Sequence, residues 1–125
     1  MNADDLYHSG REAMKAGALE DAVRLFRQSV AEWPHFKTLE LLGECLLRLD
    51  RPREAIIPLA AATALNQQGH APTLLARAFL ELGTYGDALD QAEEALRRVP
   101  GDRQALELRQ AARQHLEGAR QHLEA

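Results

Sequence analysis

The sequence predicts an all-α fold, on three observations. Leucine and alanine together supply about a third of the 125 residues, and both are good helix formers with little side-chain freedom to lose. Valine, isoleucine and threonine, the material of strands, are scarce. Glycine and proline fall at regular intervals rather than at random, dividing the chain into segments of helical length.

Those intervals are an internal repeat of 33 residues. Ala22, Ala55 and Ala88 share one column; Asp21, Glu54 and Asp87 precede them, and Val23, Ile56 and Leu89 follow. Ser29, Ala62 and Ala95 form a second small column, and Gly10, Gly43 and Ala76 a third. Larger residues recur as Ser9/Leu42/Leu75 and Ala13/Leu46/Phe79, while Gly17, Asp50 and Gly83 mark turns. A fixed period with small residues in fixed columns signals stacked helical units, in which small positions let helices approach and large ones fill the gaps.

Each unit reads as a helix A, a turn and a helix B. The first gives Leu6 to Ala16 and Glu20 to Trp33, with Pro34 closing it. The second gives Lys37 to Leu49 and Arg53 to Asn66 around a turn at Asp50-Arg51-Pro52. The third gives Pro72 to Leu82 and Gly86 to Val99, closed by Pro100-Gly101. Glycine ends a helix through its positive φ, and proline cannot continue one. Asp21, Glu54 and Asp87 fall in the first turn of each B helix, where the helix dipole favours negative charge. Pro58 interrupts the second B helix by removing the bond to the Glu54 carbonyl; an outer-face position is expected for it.

Residues 102 to 124 read as one amphipathic helix with Leu108, Ala112, Leu116, Ala119 and Leu123 along a stripe, as expected of a cap with a polar outer face. Its second half repeats itself: Arg113-Gln114-His115-Leu116-Glu117 returns seven residues later as Arg120-Gln121-His122-Leu123-Glu124. A heptad echo of this kind also suits a contact between two chains, a homo-oligomer through residues 102–124. The expected organisation is a single domain over residues 1–125, with units at about 3–35, 36–68 and 69–101 and a capping helix at about 102–124.

These residues resemble the tetratricopeptide repeat, a helix–turn–helix unit of about 34 residues with a W-x2-L-G-x2-Y…A-x3-F…P pattern. The matches are Leu39-x2-Leu42-Gly43-x2-Leu46 in the second unit, Ala22-x3-Phe26 with Pro34 in the first, and Leu75, Phe79, Gly83, Tyr85, Ala88, Ala95 and Pro100 in the third. The pattern's tryptophan is absent from every unit; the single tryptophan, Trp33, ends a B helix instead. The resemblance implies a right-handed α-solenoid whose A helices line a concave groove for a segment of another protein, as in a scaffold, adaptor or chaperone-like module.

Carried across residue by residue, the resemblance places Asp4, Tyr7, His8, Arg11 and Lys15 in that groove from the first unit. Lys37, Glu40, Leu41, Glu44 and Arg48 follow from the second, and His70, Thr73, Leu74, Arg77 and Glu81 from the third. Leu41, Leu47, Leu74 and Leu80 lie outside the core stripe and are expected either to dock apolar anchors of a partner or to pack between neighbouring A helices. Some relatives grip a partner's C-terminal carboxylate with lysines and asparagines at set A-helix positions. Tyr7, Arg11, Leu41 and Leu74 stand there instead, so the resemblance implies no such clamp.

Charge and chemistry narrow the function classes. A net charge of −4 argues against nucleic acid, which calls for a basic face. Cys45 is the only cysteine, so no internal disulfide forms and a reducing compartment, the cytoplasm, is expected. No stretch approaches the ~20 apolar residues that span a bilayer. His115 and His122 lie about 10.5 Å apart along a helix, too far to share a metal ion. His8, His35 and His70 lack neighbours at metal-binding spacing. Neither catalytic residues, cofactor nor metal is expected, and the chain reads as a binding module rather than an enzyme.

Overall fold

The computed structural model describes residues 1–124, which form seven α-helices: α1 (Ala3–Lys15), α2 (Leu19–Glu32), α3 (Phe36–Arg48), α4 (Pro52–Leu65), α5 (Ala71–Leu82), α6 (Tyr85–Arg98) and α7 (Arg103–Glu124). Each helix packs on the next, and α5 also touches α3 and α7. Three helix pairs therefore stack in chain order and α7 caps the third, the all-α solenoid that the repeat predicts.

The three turns inside the pairs share one construction. Gly17, Asp50 and Gly83, one period apart, all adopt positive φ, at 78°, 58° and 78°. The following amide reaches back five residues in each case: Ala18 N–H to the Ala13 carbonyl, Arg51 to Leu46, and Thr84 to Phe79. This is the left-handed helix stop that satisfies the last carbonyls. Aspartate substitutes for glycine at position 50 because its short polar side chain tolerates that region better than most residues.

The chain between pairs is held by side chains. Asn2 accepts from the Asp5 amide and the Asp5 carboxylate accepts from the Asn2 amide, a capping box. It starts α1 at Ala3, earlier than the apolar periodicity alone places it. Asp102 accepts from the Ala105 amide at the start of α7 and also from the Thr73 hydroxyl of α5 at 3.1 Å. The guanidinium of Arg98, nearly buried, donates to the carbonyls of Asn66 at 2.8 Å and Thr63 at 3.0 Å, closing the end of α4 from α6.

The main core joins Ala22, Val23 and Phe26 of α2 to Leu42, Cys45 and Leu46 of α3, Ala55 and Leu59 of α4, and Leu74, Leu75 and Ala78 of α5. The small column of the repeat is buried throughout: Ala22, Ala55 and Ala88 are all 0% exposed. Pro58 corrects the outer-face expectation, for it is buried beside Ala55, Leu59 and Ala62. Spacings of three and four residues put it on the same face as Ala55 and Ala62, and α4 stays helical through it.

Candidate functional site

The first helices of the pairs carry the residues assigned to the groove, and the structure divides them sharply. From α1, Tyr7 is half-buried against the core, its ring 6.3 Å from that of Phe26. Arg11 lies over this ring, 5.8 Å from its centroid, a cation–π contact. His8 is exposed and 3.4 Å from Asp4, and Lys15 is exposed and 3.8 Å from Glu12. On α3, Glu44 is half-buried and Arg48 exposed in the last turn. On α5, Arg77 and Glu81 pair at 3.2 Å.

Of the two readings of the leucine edge, the structure takes packing within the stack, and Leu74 is corrected as a groove residue. Leu74 is only 4% exposed and Leu47 3%, both inside the main core, and Leu41 packs partly buried against it. Leu80 packs against the cluster of Ala76, Ala92 and Leu108. The reason is position in the stack: α3 touches α2, α4 and α5, so it buries a wider arc than a helix with one neighbour. The leucines outside the narrow stripe are spent on that arc, and Leu74 has no surface to offer a partner. Thr73, 1% exposed and bonded to Asp102, is likewise withdrawn.

What the structure does open is a cleft of about 510 Å³ where the starts of α1 and α3 meet the end of α2. Asn2, Ala3, Asp4 and Tyr7 form one wall, and His35, Lys37 and Thr38 the other. Ser29 and Trp33 close it from α2. Ser29 donates to the Ala3 carbonyl at 2.7 Å and so fixes the α1 wall to α2. Trp33 is 65% exposed, an unusual state for a large apolar ring, and His35 stacks on Phe36 at 4.5 Å. Of the fifteen residues assigned to the groove only Asp4, Tyr7 and Lys37 line this cleft. The signal for Trp33 was present in the sequence. It is the one tryptophan of a chain with 5% aromatics, set directly before a proline, but a motif that wants tryptophan elsewhere draws attention away from it.

The charges on this side are mostly balanced in pairs, Asp4 with His8, Lys37 with Glu40, and Arg77 with Glu81. The sole thiol offers no nucleophile, since Cys45 is 0% exposed and burial pushes its pKa up to about 11, keeping it protonated at neutral pH. Among the described residues no group of three or more His, Cys, Asp or Glu is placed to hold a metal ion, and no helix is long and apolar enough to cross a membrane.

Comparison with known proteins agrees with this architecture. Two family models, both described as tetratricopeptide repeat, match residues 13–78 and 73–125. No curated protein matches the chain. Among solved structures, the first tetratricopeptide-repeat domain of Spaghetti (RPAP3) bound to the HSP90 peptide SRMEEVD is similar at a TM-score of 0.87 and 20% identity, covering 93% of this chain and 94% of that one. The Sgt2 domain from Aspergillus fumigatus gives 0.85 at 17% identity, over 95% of this chain and 82% of that one. The first domain of human RPAP3 gives 0.83 at 20%, over 93% of each. Identities this low speak for the fold.

Proposed function

The chain belongs to the tetratricopeptide repeat family, and from that premise we propose that it is a non-catalytic protein-interaction module that holds a peptide segment of another protein along α1, α3 and α5. The observation that carries this reading is the cleft at the starts of α1 and α3, with the exposed Trp33 at its edge. Aromatic side chains beside a pocket are the usual anchors of a binding surface. The segment lies with one apolar side chain in the cleft, and its flanking residues run past Tyr7, His8, Arg11 and Lys15 towards Glu44, Arg48, Arg77 and Glu81. The chain acts as one unit over 1–125, with repeats at about 3–35, 36–68 and 69–101. Similar structures in complex with acidic peptides, SRMEEVD of HSP90 and SGPTIEEVD of HSP70, support the class of ligand. The mode differs here: with Tyr7, Arg11, Leu41 and Leu74 at the clamp positions, binding does not run through a terminal carboxylate.

A random peptide library displayed against the purified chain tests this. Selected peptides shift the emission of Trp33, and they lose at least about tenfold in affinity (~1.4 kcal/mol) against Trp33→Ala, whose helicity is unchanged. Amidating their C-termini leaves affinity intact. Peptides that bind wild type and Trp33→Ala alike, without moving the emission, reject the cleft.

A further inference from the structure

The far end of the stack carries a second surface with its own pattern. Tyr85, the first residue of α6, stacks on His115 of α7 with centroids 4.1 Å apart and planes 2° from parallel. From Leu116 to Glu124, therefore, α7 runs on past Tyr85 at the start of α6, over about 13 Å at 1.5 Å per residue. Every residue from Arg113 to Glu124 is exposed, Leu116 at 37% and Leu123 at 86%. An isolated helical stretch this short is marginal in water, and Gly118 lowers its helix propensity further. A cleft of about 500 Å³ opens beside it, lined by Leu89, Arg113, Gln114, Leu116, Glu117 and Arg120.

The charges on this helix match themselves in one orientation. Arg113, Glu117, Arg120 and Glu124 alternate in sign along it. When two copies lie antiparallel about a two-fold axis at the Gly118–Ala119 peptide, Arg113 faces Glu124 of the second copy and Glu117 faces Arg120. Each pair occurs twice by symmetry. In the parallel arrangement every charge faces its own kind. The antiparallel register also sets Leu116 between Ala119 and Leu123 of the second copy, and brings Leu123 over the cleft beside Leu89. The contacts these charges make within one chain, Arg120 with Glu124 at 3.1 Å and Arg113 with Glu93 at 3.8 Å, are exposed and contribute little to hold them back.

We propose that the overhang of α7 is a self-pairing surface on which a second copy of this chain docks antiparallel, in a register set by Arg113–Glu124 and Glu117–Arg120. The contact is small, so the dimer is weak and depends on concentration. It leaves the Trp33 cleft at the opposite end of the stack free.

Sedimentation velocity on the full chain, from low micromolar to near-millimolar concentration, tests the proposal. The wild type shifts from monomer towards dimer across the range, and added salt opposes the shift. Arg120→Glu and Glu117→Arg each create two like-charged pairs and stay monomeric, with unchanged helicity because both positions are exposed. An equimolar mixture of these two variants restores the dimer, since each then meets its opposite. A wild type that is monomeric throughout overturns the proposal. Single variants that dimerise like the wild type, or a mixture that stays monomeric, overturn it equally.

Discussion

Where α1 crosses α2, Gly10 faces a ring: a Cβ at that position would come within 2.6 Å of Phe26. Where α3 crosses α4, Gly43 faces Leu59, and the corresponding approach is 2.3 Å. One period further on, at the crossing of α5 and α6, the same two positions hold Ala76 and Ala92, both 0% exposed. The first two pairs divide the space between helices as nothing on one side and a large side chain on the other. The third divides it evenly, and Leu108 of α7 joins the cluster that forms there. A crossing is thus filled by whichever side chains reach it rather than by a fixed residue at either position. The third pair needs α7 to finish its packing, whereas the first two fill their own.

The deepest break in this comparison is at Leu74, which ties the third pair to the second. Leu74→Glu places a carboxylate where the side chain is 4% exposed, among the apolar side chains of the main core. We expect a loss of about 4 kcal/mol or more, a large part of the total stability of a domain this size. Urea unfolding followed by circular dichroism measures it; a loss below about 1 kcal/mol would return Leu74 to the surface.

A double-mutant cycle at the second crossing sharpens the comparison. Gly43→Ala drives a Cβ into Leu59 and is expected to cost about 1–3 kcal/mol. Leu59→Ala removes a fully buried side chain and is expected to cost about 2–5 kcal/mol. Together they rebuild the alanine–alanine division of the third pair, so the double variant should lose less than the sum by about 1 kcal/mol or more. Simple additivity would mean that α3 moves aside to admit the Cβ, and that Gly43 and Leu59 do not compete for one space.

The columns of the repeat were legible because a period of 33 residues superimposes them, and the structure places Ala22, Ala55 and Ala88 alike. The turns at Gly17, Asp50 and Gly83 were legible for the same reason, though the positive φ of Asp50 was not. Three further features escaped. The buried face of Pro58 depends on which arc of α4 turns inward, and an almost uniformly apolar helix gives no polar face by which to orient it. The withdrawal of Leu74 depends on how many neighbours α5 has, a property of the stack rather than of the helix. The cleft depends on the junction of three segments, and Trp33 enters it from a B-helix end that the expected groove leaves out.

The smallest expected effect concerns the charges that join the pairs. Glu54 of α4 is held at about 2, well below its ordinary 4.5, by hydrogen bonds from Arg51 and from Arg27 of α2. Glu94 of α6 is lowered as well, by Arg98 first and Arg97 second. A carboxylate whose folded-state pKa is depressed adds stability that is complete above the unfolded value and is lost as pH falls through the folded one. For Glu54 the window runs from about pH 4.5 down to about 2. Both groups meet solvent, so the effect is screened and should shrink with added salt. Urea midpoints should hold from pH 7 to about 5 and fall towards pH 2, and Glu54→Gln should lower the midpoint at pH 7 while flattening that fall. If the wild type and Glu54→Gln decline in parallel, the α2–α4 junction owes its acid sensitivity to other carboxylates. The joint between the first and second pairs would then rest on the apolar contacts of Ala22 and Ala55 rather than on its arginines.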